Sequence, residues 1–166
     1  MKSYRLSAAS QILILALVFG CAAPRIEPRE MGDASRGDRV LIATQQSRFK
    51  DSVVEGVVRE FAGAPVYLKI IDIRELNDES TLPYRAVIII SACRAWDLSP
   101  HAIEFANREK EKEKIFLFST AGDEDWAPGV VGVDAMTSAS TPAKIIPAAE
   151  AIIAKIHGML PVNRRF

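Results

Sequence analysis

The 166-residue chain lacks an excess of charge of either sign, since 21 lysines and arginines are matched by 21 aspartates and glutamates. Without a basic patch, no nucleic-acid partner is expected. The chain also lacks a Gly-x-Ser-x-Gly elbow, a Walker loop and a dinucleotide fingerprint, so its motifs leave open whether it is an enzyme. The two histidines, His101 and His157, have no partner cysteines, and no metal site is expected.

The beginning of the chain lacks an apolar run long enough to cross a membrane as a helix, which takes about 20 residues. Residues 12–19 form a shorter apolar run after a basic start, a pattern typical of a secretory signal peptide over residues 1–20. Residues 18–21, Val-Phe-Gly-Cys, resemble a bacterial lipobox, which implies that Cys21 is the first mature residue and carries a lipid. Cys93 would then be unpaired, and no internal disulfide is expected. The alternative is a plain signal peptide with an incidental cysteine.

Residues 21–38 contain Pro24, Pro28, two glycines and mixed charges without apolar periodicity, which predicts a flexible tether. Residues 39–160 are long enough for one folded domain, and residues 161–166 form a C-terminal tail. The lipid and the tether predict a protein of the cell envelope, anchored to a membrane and facing the periplasm or the exterior.

Short apolar stretches alternate with helical patterns through the domain. The stretch Ala86–Ile90 is apolar without interruption, which is typical of a strand buried on both faces. The predicted strands are 39–44, 66–73, 86–90, 115–118 and 130–136. The predicted helices are 52–61, one that begins at Ser99-Pro100, and one near 145–156. This alternation predicts an α/β fold of three layers, with a five-stranded parallel sheet and helices on both faces. The loop Thr120–Gly129 has almost no room for a helix, so the fourth crossover helix should be short or missing.

The loops after the third and fourth predicted strands each carry a tryptophan. The third-strand loop contains Ala92, Cys93 and Trp96, and the fourth-strand loop contains Thr120, Ala121, Gly122, Asp123 and Trp126. These loops, with the order of the elements, resemble those of a flavodoxin over the whole domain. The resemblance implies the strand order 2-1-3-4-5 and a site for FMN at the carboxyl ends of the strands. In that site Trp96 and Trp126 would sandwich the ring, and residues 120–122 would offer backbone donors.

The first-strand loop occupies the place of the flavodoxin phosphate loop. The resemblance implies that Ser47 and Ser52 supply hydroxyls to the phosphate and that Arg48 and Lys50 supply positive charge. The loop lacks the glycine that flavodoxins carry there. Taken by themselves, Ser47, Arg48 and Ser52 favour ordinary capping of the following helix somewhat over phosphate binding.

Two functions remain open from the sequence. The first is a membrane-tethered flavodoxin-like protein that binds FMN or a related flat ligand without a covalent bond and passes electrons to a redox protein partner. The second is a cofactor-free interaction module of the cell envelope that keeps the fold, because a fold alone does not define a function. In the second case Trp96 is a surface residue covering the sheet edge, and Trp126 fills the place of the missing helix.

Overall fold

A computed structural model describes residues 24–35, 37–123, 125–126 and 129–161 of the chain. The predicted signal peptide, Cys21 and most of the predicted tail lie outside these residues. Within them, six strands form one sheet. The strands are β1 (Arg29–Met31), β2 (Asp38–Thr44), β3 (Val66–Asp72), β4 (Ala86–Ala92), β5 (Ile115–Thr120) and β6 (Asp134–Ser138). No helix among the described residues is both long and apolar enough to span a membrane.

The sheet order is β1-β3-β2-β4-β5-β6. The five strands from β2 to β6 are mutually parallel, and their arrangement confirms the predicted order 2-1-3-4-5. The prediction of five strands was wrong by one, because β1 pairs antiparallel with the outer edge of β3. This strand lies in the stretch predicted to be a flexible tether. Its sequence, Arg-Glu-Met, has no apolar pattern, and pairing with β3 orders it. Met31 also packs partly buried against the core, and Arg29 forms an ion pair with Glu55 of α1 at 2.6 Å.

Helices cover both faces of the sheet, as predicted. The helices are α1 (Arg48–Glu60), α2 (Pro100–Arg108) and α3 (Ile145–Met159). Side chains of α1 and α3 pack on one face, and α2 packs on the other together with the 3-10 helix Ile73–Asp78. The described part of the crossover between β5 and β6 contains no helix, in agreement with the predicted missing fourth helix.

Two boundaries differ from the prediction for local reasons. Helix α1 begins four residues before the predicted Ser52, because the Ser47 hydroxyl caps it by accepting a hydrogen bond from the Lys50 amide at 3.2 Å. Strand β6 begins at Asp134 rather than at residue 130, because Gly132 adopts a positive φ of 80° in a turn. The earlier helix start places residues 48–51 on the helix instead of in a loop.

Residues 24–31, called the N-terminal strap, are fixed to the end of β3 by one carboxylate. Asp72 accepts hydrogen bonds from the Ile26 amide at 3.1 Å and from the Arg74 guanidinium at 2.7 Å. Arg74 also donates to the Pro24 carbonyl at 3.2 Å. The Asp72 side chain is only 2% exposed. The hydrogen bonds from Arg74, with that from Ile26, lower the pKa of Asp72 to about 2.

We expect Asp72→Asn to lower the free energy of unfolding at pH 7 by about 2 kcal/mol, because it breaks a buried ion pair. The stabilisation from Asp72 should be fully present above pH 3.8, its ordinary pKa, and should be lost as the pH falls through about 2. Urea unfolding of both proteins between pH 7 and pH 2 measures the difference. A difference that stays constant down to pH 2 would contradict the assigned role of the carboxylate.

Candidate functional site

Two cavities open at the edge of the sheet where the parallel strands end. The central cavity has a volume of about 700 Å³. It is lined by Ser47, Phe49, Lys50, Ala92, Cys93, Arg94, Thr120, Ala121, Gly122, Ala139, Ser140 and Thr141. Its walls are therefore the first turn of α1 and the segments that follow β4, β5 and β6. The volume lies within the usual range for small-molecule sites, and the position is the one where open α/β sheets bind ligands.

The strap cavity, of about 560 Å³, lies beside the central cavity. It is lined by Pro24, Gln45, Gln46, Asp72, Ile73, Arg74, Ala92, Arg94, Asp97, Leu98, Ser99, Pro100 and His101. Ala92 and Arg94 line both cavities, so the loop after β4 forms the wall between them. Pro24, at the start of the strap, also lines the strap cavity.

The structure brings together six of the eleven residues predicted to bind the cofactor. Those lining the central cavity are Ser47, Ala92, Cys93, Thr120, Ala121 and Gly122. Arg48, Ser52, Asp123, Trp96 and Trp126 do not line it. Arg48 is exposed and Ser52 is half-buried on α1, because the helix begins earlier than the sequence indicated. Asp123 is exposed, and its carboxylate accepts a hydrogen bond from the Asp125 amide at 3.0 Å.

The two tryptophans lie in different surroundings. Trp96 is 70% exposed at the tip of a tight turn after β4. Trp126 is half-buried and packs with Val130 and Val133 against the core on the α2 face, beside a crossover whose described part has no helix. Among the described residues that line the two cavities, neither tryptophan is present. Their predicted role in ring stacking therefore remains a prediction.

A pair of positive charges faces the central cavity. Lys50, in the first turn of α1, is only 5% exposed, and the exposed residue Arg94, which follows β4, lines the same cavity. Burial lowers the pKa of the Lys50 ammonium, and the charge of Arg94 lowers it further, whereas Asp51 acts in the opposite direction. Within the described part of the chain, no carboxylate forms an ion pair with Lys50. An anion in the cavity would supply the missing counter-charge.

Hydroxyl groups surround these charges, whereas several backbone donors are already used. Ser140 and Thr141 line the cavity together with the capping residue Ser47. The Ala121 amide, predicted to contact a ligand, donates to the Ser138 carbonyl at 3.2 Å. The Ala92 amide donates to the Gln45 side chain at 3.2 Å. The polar groups that the cavity offers are therefore mainly hydroxyls and cations.

Arg94, Ser140 and Thr141 line the central cavity but were not among the residues predicted to bind the cofactor. Each follows a strand that ends at this edge, so the end of β4 and a correctly placed β6 would have indicated them. Of the two charges predicted in the first loop, Lys50 lines the cavity and Arg48 does not. In the described segments, no group of three or more His, Cys, Asp or Glu side chains could hold a metal ion. Cys93 is half-buried and not in a disulfide.

The sequence matches no known protein-family model and no curated protein. Solved structures do align with it. A flavodiiron core from Synechocystis sp. PCC6803 has a TM-score of 0.48 and 12% identity, covering 75% of this chain and 36% of that one. A flavodoxin from the domain Archaea has a TM-score of 0.45 and 10% identity, covering 73% of this chain and 98% of that one. A flavo di-iron protein mutant from Thermotoga maritima has a TM-score of 0.43 and 14% identity, with coverage of 75% and 36%.

This chain thus spans about a third of the length of the two flavodiiron proteins, and nearly all of the archaeal flavodoxin. The fold is flavodoxin-like. This assignment of the fold rests on the strand order 2-1-3-4-5 of the five parallel strands, and not on such distant alignments. Identities of 10–14% assign no particular activity.

We expect Lys50→Met to raise the free energy of unfolding by about 1 kcal/mol in the absence of an anion, because it removes a buried charge while keeping the length of the side chain. The gain in free energy of unfolding should be complete below the lowered pKa of Lys50, where the charge is present in both the folded and the unfolded protein. It should shrink as the pH rises from there to 10.5, the ordinary pKa of lysine. Urea unfolding between pH 7 and pH 10.5 measures it. The exposed Lys110 provides the control, and Lys110→Met should leave stability unchanged. A loss of stability in Lys50→Met would show that its charge is already satisfied.

Proposed function

We propose that this protein is a flavodoxin-like domain, tethered to a membrane through a lipid on Cys21, that binds FMN or a related flat phosphate ester in the central cavity and passes electrons to a redox protein partner. The observation that carries the proposal is the buried ammonium of Lys50. It lies beside Arg94 on the wall of a 700 Å³ cavity at the carboxyl edge of the sheet.

The residues of the cavity suit the phosphate end of such a ligand. Lys50 and Arg94 supply two positive charges, and a phosphate monoester carries up to two negative ones. Ser47, Ser140 and Thr141 bring hydroxyl groups to the same space. The first turn of α1 adds the positive end of a helix of 13 residues. The phosphate would thus be held by side-chain charges and hydroxyls more than by the glycine-containing loop of flavodoxins.

FMN, when bound, supplies reversible electron transfer, and the protein supplies binding, orientation and charge. In this proposal Lys50 and Arg94 neutralise the phosphate, and the segment Ala92–Cys93 lies along the ligand between the two cavities. The proposal does not depend on stacking by Trp96 or Trp126.

The membrane tether is proposed from the leader sequence. Its basic start, apolar run and Val-Phe-Gly-Cys ending support lipidation of Cys21, which would place the domain in the cell envelope. Metabolic labelling with a fatty acid tests this point, because Cys21→Ser should abolish incorporation of the label.

A cofactor-free interaction module is the second candidate. The observation that favours it is that neither Trp96 nor Trp126, both described by the structure, lines either of the two cavities. The cavities thus lack an indole wall on which a flat ring could stack.

Titration of FMN and riboflavin distinguishes the two candidates. We expect FMN fluorescence to be quenched on binding, and Lys50→Met to weaken FMN binding at least tenfold, about 1.4 kcal/mol. Riboflavin has no phosphate, so Lys50→Met should change its binding little. Lys110→Met should bind both ligands as the wild type does. No binding of either flavin, or equal FMN affinity in wild type and Lys50→Met, would favour the interaction module.

A further inference from the structure

The turn after β4 presents a tryptophan to the outside. The backbone of Arg94 and Asp97 forms two hydrogen bonds, from the Arg94 amide to the Asp97 carbonyl at 2.9 Å and in return at 3.1 Å. Ala95 and Trp96, at the tip of this Trp96 hairpin, have φ values of 51° and 65°. This left-handed backbone suits Asn-Gly and is unfavourable for other residues. Strain of this kind persists where the position of a side chain matters, and here that side chain is an indole with 70% exposure.

The start of the N-terminal strap lies beside this hairpin. Pro24 lines the strap cavity together with Arg94 and Asp97, the two residues at the base of the hairpin. Arg74 and Asp72 hold the strap at this place through the Pro24 carbonyl and the Ile26 amide. The strap therefore approaches β3 from the carboxyl edge of the sheet and not from the opposite edge.

Cys21 is only three residues before Pro24 in the sequence. Three residues of fully extended chain span at most about 11 Å. A lipid on Cys21 must therefore enter the bilayer close to the point where the strap meets the sheet, whatever path those residues take. A tether of eighteen free residues, as the sequence suggested, would have left the domain free to rotate.

We propose that the carboxyl edge of the sheet faces the lipid bilayer and that the Trp96 hairpin inserts into the membrane interface beside the lipid anchor. The inference rests on the lipidation of Cys21 in the proposed function, but not on flavin binding. Tryptophan is enriched at this depth because its ring is apolar and its N–H can remain hydrated. Arg94 and Asp97 carry opposite charges at the base of the hairpin, so the contact should not depend on anionic lipid.

Quenching by brominated lipid tests the position of Trp96. The chain has two tryptophans, so Trp126→Phe leaves Trp96 as the only indole. We expect the lipidated full-length variant, reconstituted in vesicles of phosphatidylcholine, to lose at least half of its emission when the lipid chains carry bromine. The emission should also shift to shorter wavelength. The converse variant, Trp96→Phe, keeps Trp126 as its only indole, and its emission should not be quenched by the bromine. Because this variant retains Trp126, the comparison does not depend on any loss of stability caused by Trp126→Phe.

Leu82 provides the matched control. It is 79% exposed and lies before β4, near the opposite edge of the sheet with Asp38 and Lys114. With both native tryptophans changed to phenylalanine, Leu82→Trp should show no quenching. Quenching of the Leu82→Trp reporter equal to that of Trp96 would overturn the proposed orientation. An absence of Trp96 quenching in protein that floats with the vesicles would overturn it as well.

Flotation and FMN binding separate this inference from the proposed function. Protein that does not float with vesicles lacks the anchor, which overturns both the tether and the orientation. FMN titration of the same samples reports on the central cavity alone. Two results together would return Trp96 to the ring-binding role predicted from the sequence. These are a loss of FMN affinity in Trp96→Phe and an absence of quenching of Trp96 in Trp126→Phe.

Discussion

The structure depends on the burial of β4 between two layers of helices. Residues 86–90 are fully buried, and their side chains alternate between the two cores. Ala86, Ile88 and Ile90 belong to the core beneath α1 and α3, whereas Val87 and Ile89 belong to the core on the α2 face. Burial of such side chains is worth about 1.5–3 kcal/mol each, so this strand fixes the sheet that surrounds it. Since its neighbours run parallel to it, their carboxyl ends meet at one edge, and both cavities follow from that arrangement.

The sequence predicted the parallel core well, because a strand buried on both faces must be apolar without interruption. It could not predict β1, whose three residues are held by pairing with β3 and have no apolar pattern. The site was predicted in part for a similar reason. Strand ends identified Ala92, Cys93 and residues 120–122, but the capping by Ser47 moved the helix start and decided that Lys50 and not Arg48 faces the cavity. The direction of Trp96 depends on two backbone hydrogen bonds that no residue pattern reveals.

Lys50 and Trp96, on which the two proposals rest, lie in opposite surroundings. Lys50 keeps a charge where burial disfavours it, and Trp96 keeps an apolar ring where water surrounds it. Desolvation of the Lys50 charge and the left-handed backbone at Trp96 each lower the stability of the isolated domain. A ligand or a surface that relieves the cost binds more favourably for that reason. Residues that lower the stability of a fold are commonly retained where function requires them.

The N-terminal strap also has a mechanical consequence. Because β1 is antiparallel to β3, a pull from residue 24 toward the carboxyl edge acts along the axis of β1 and loads its ladder in shear. The hydrogen bonds from Arg74 to Pro24 and from Ile26 to Asp72 bear the force before any core strand does. The short β1 would yield first and lengthen the connection while β2 to β6 remain folded. Under tension applied at residue 24, the strap would thus detach before the parallel sheet unfolds.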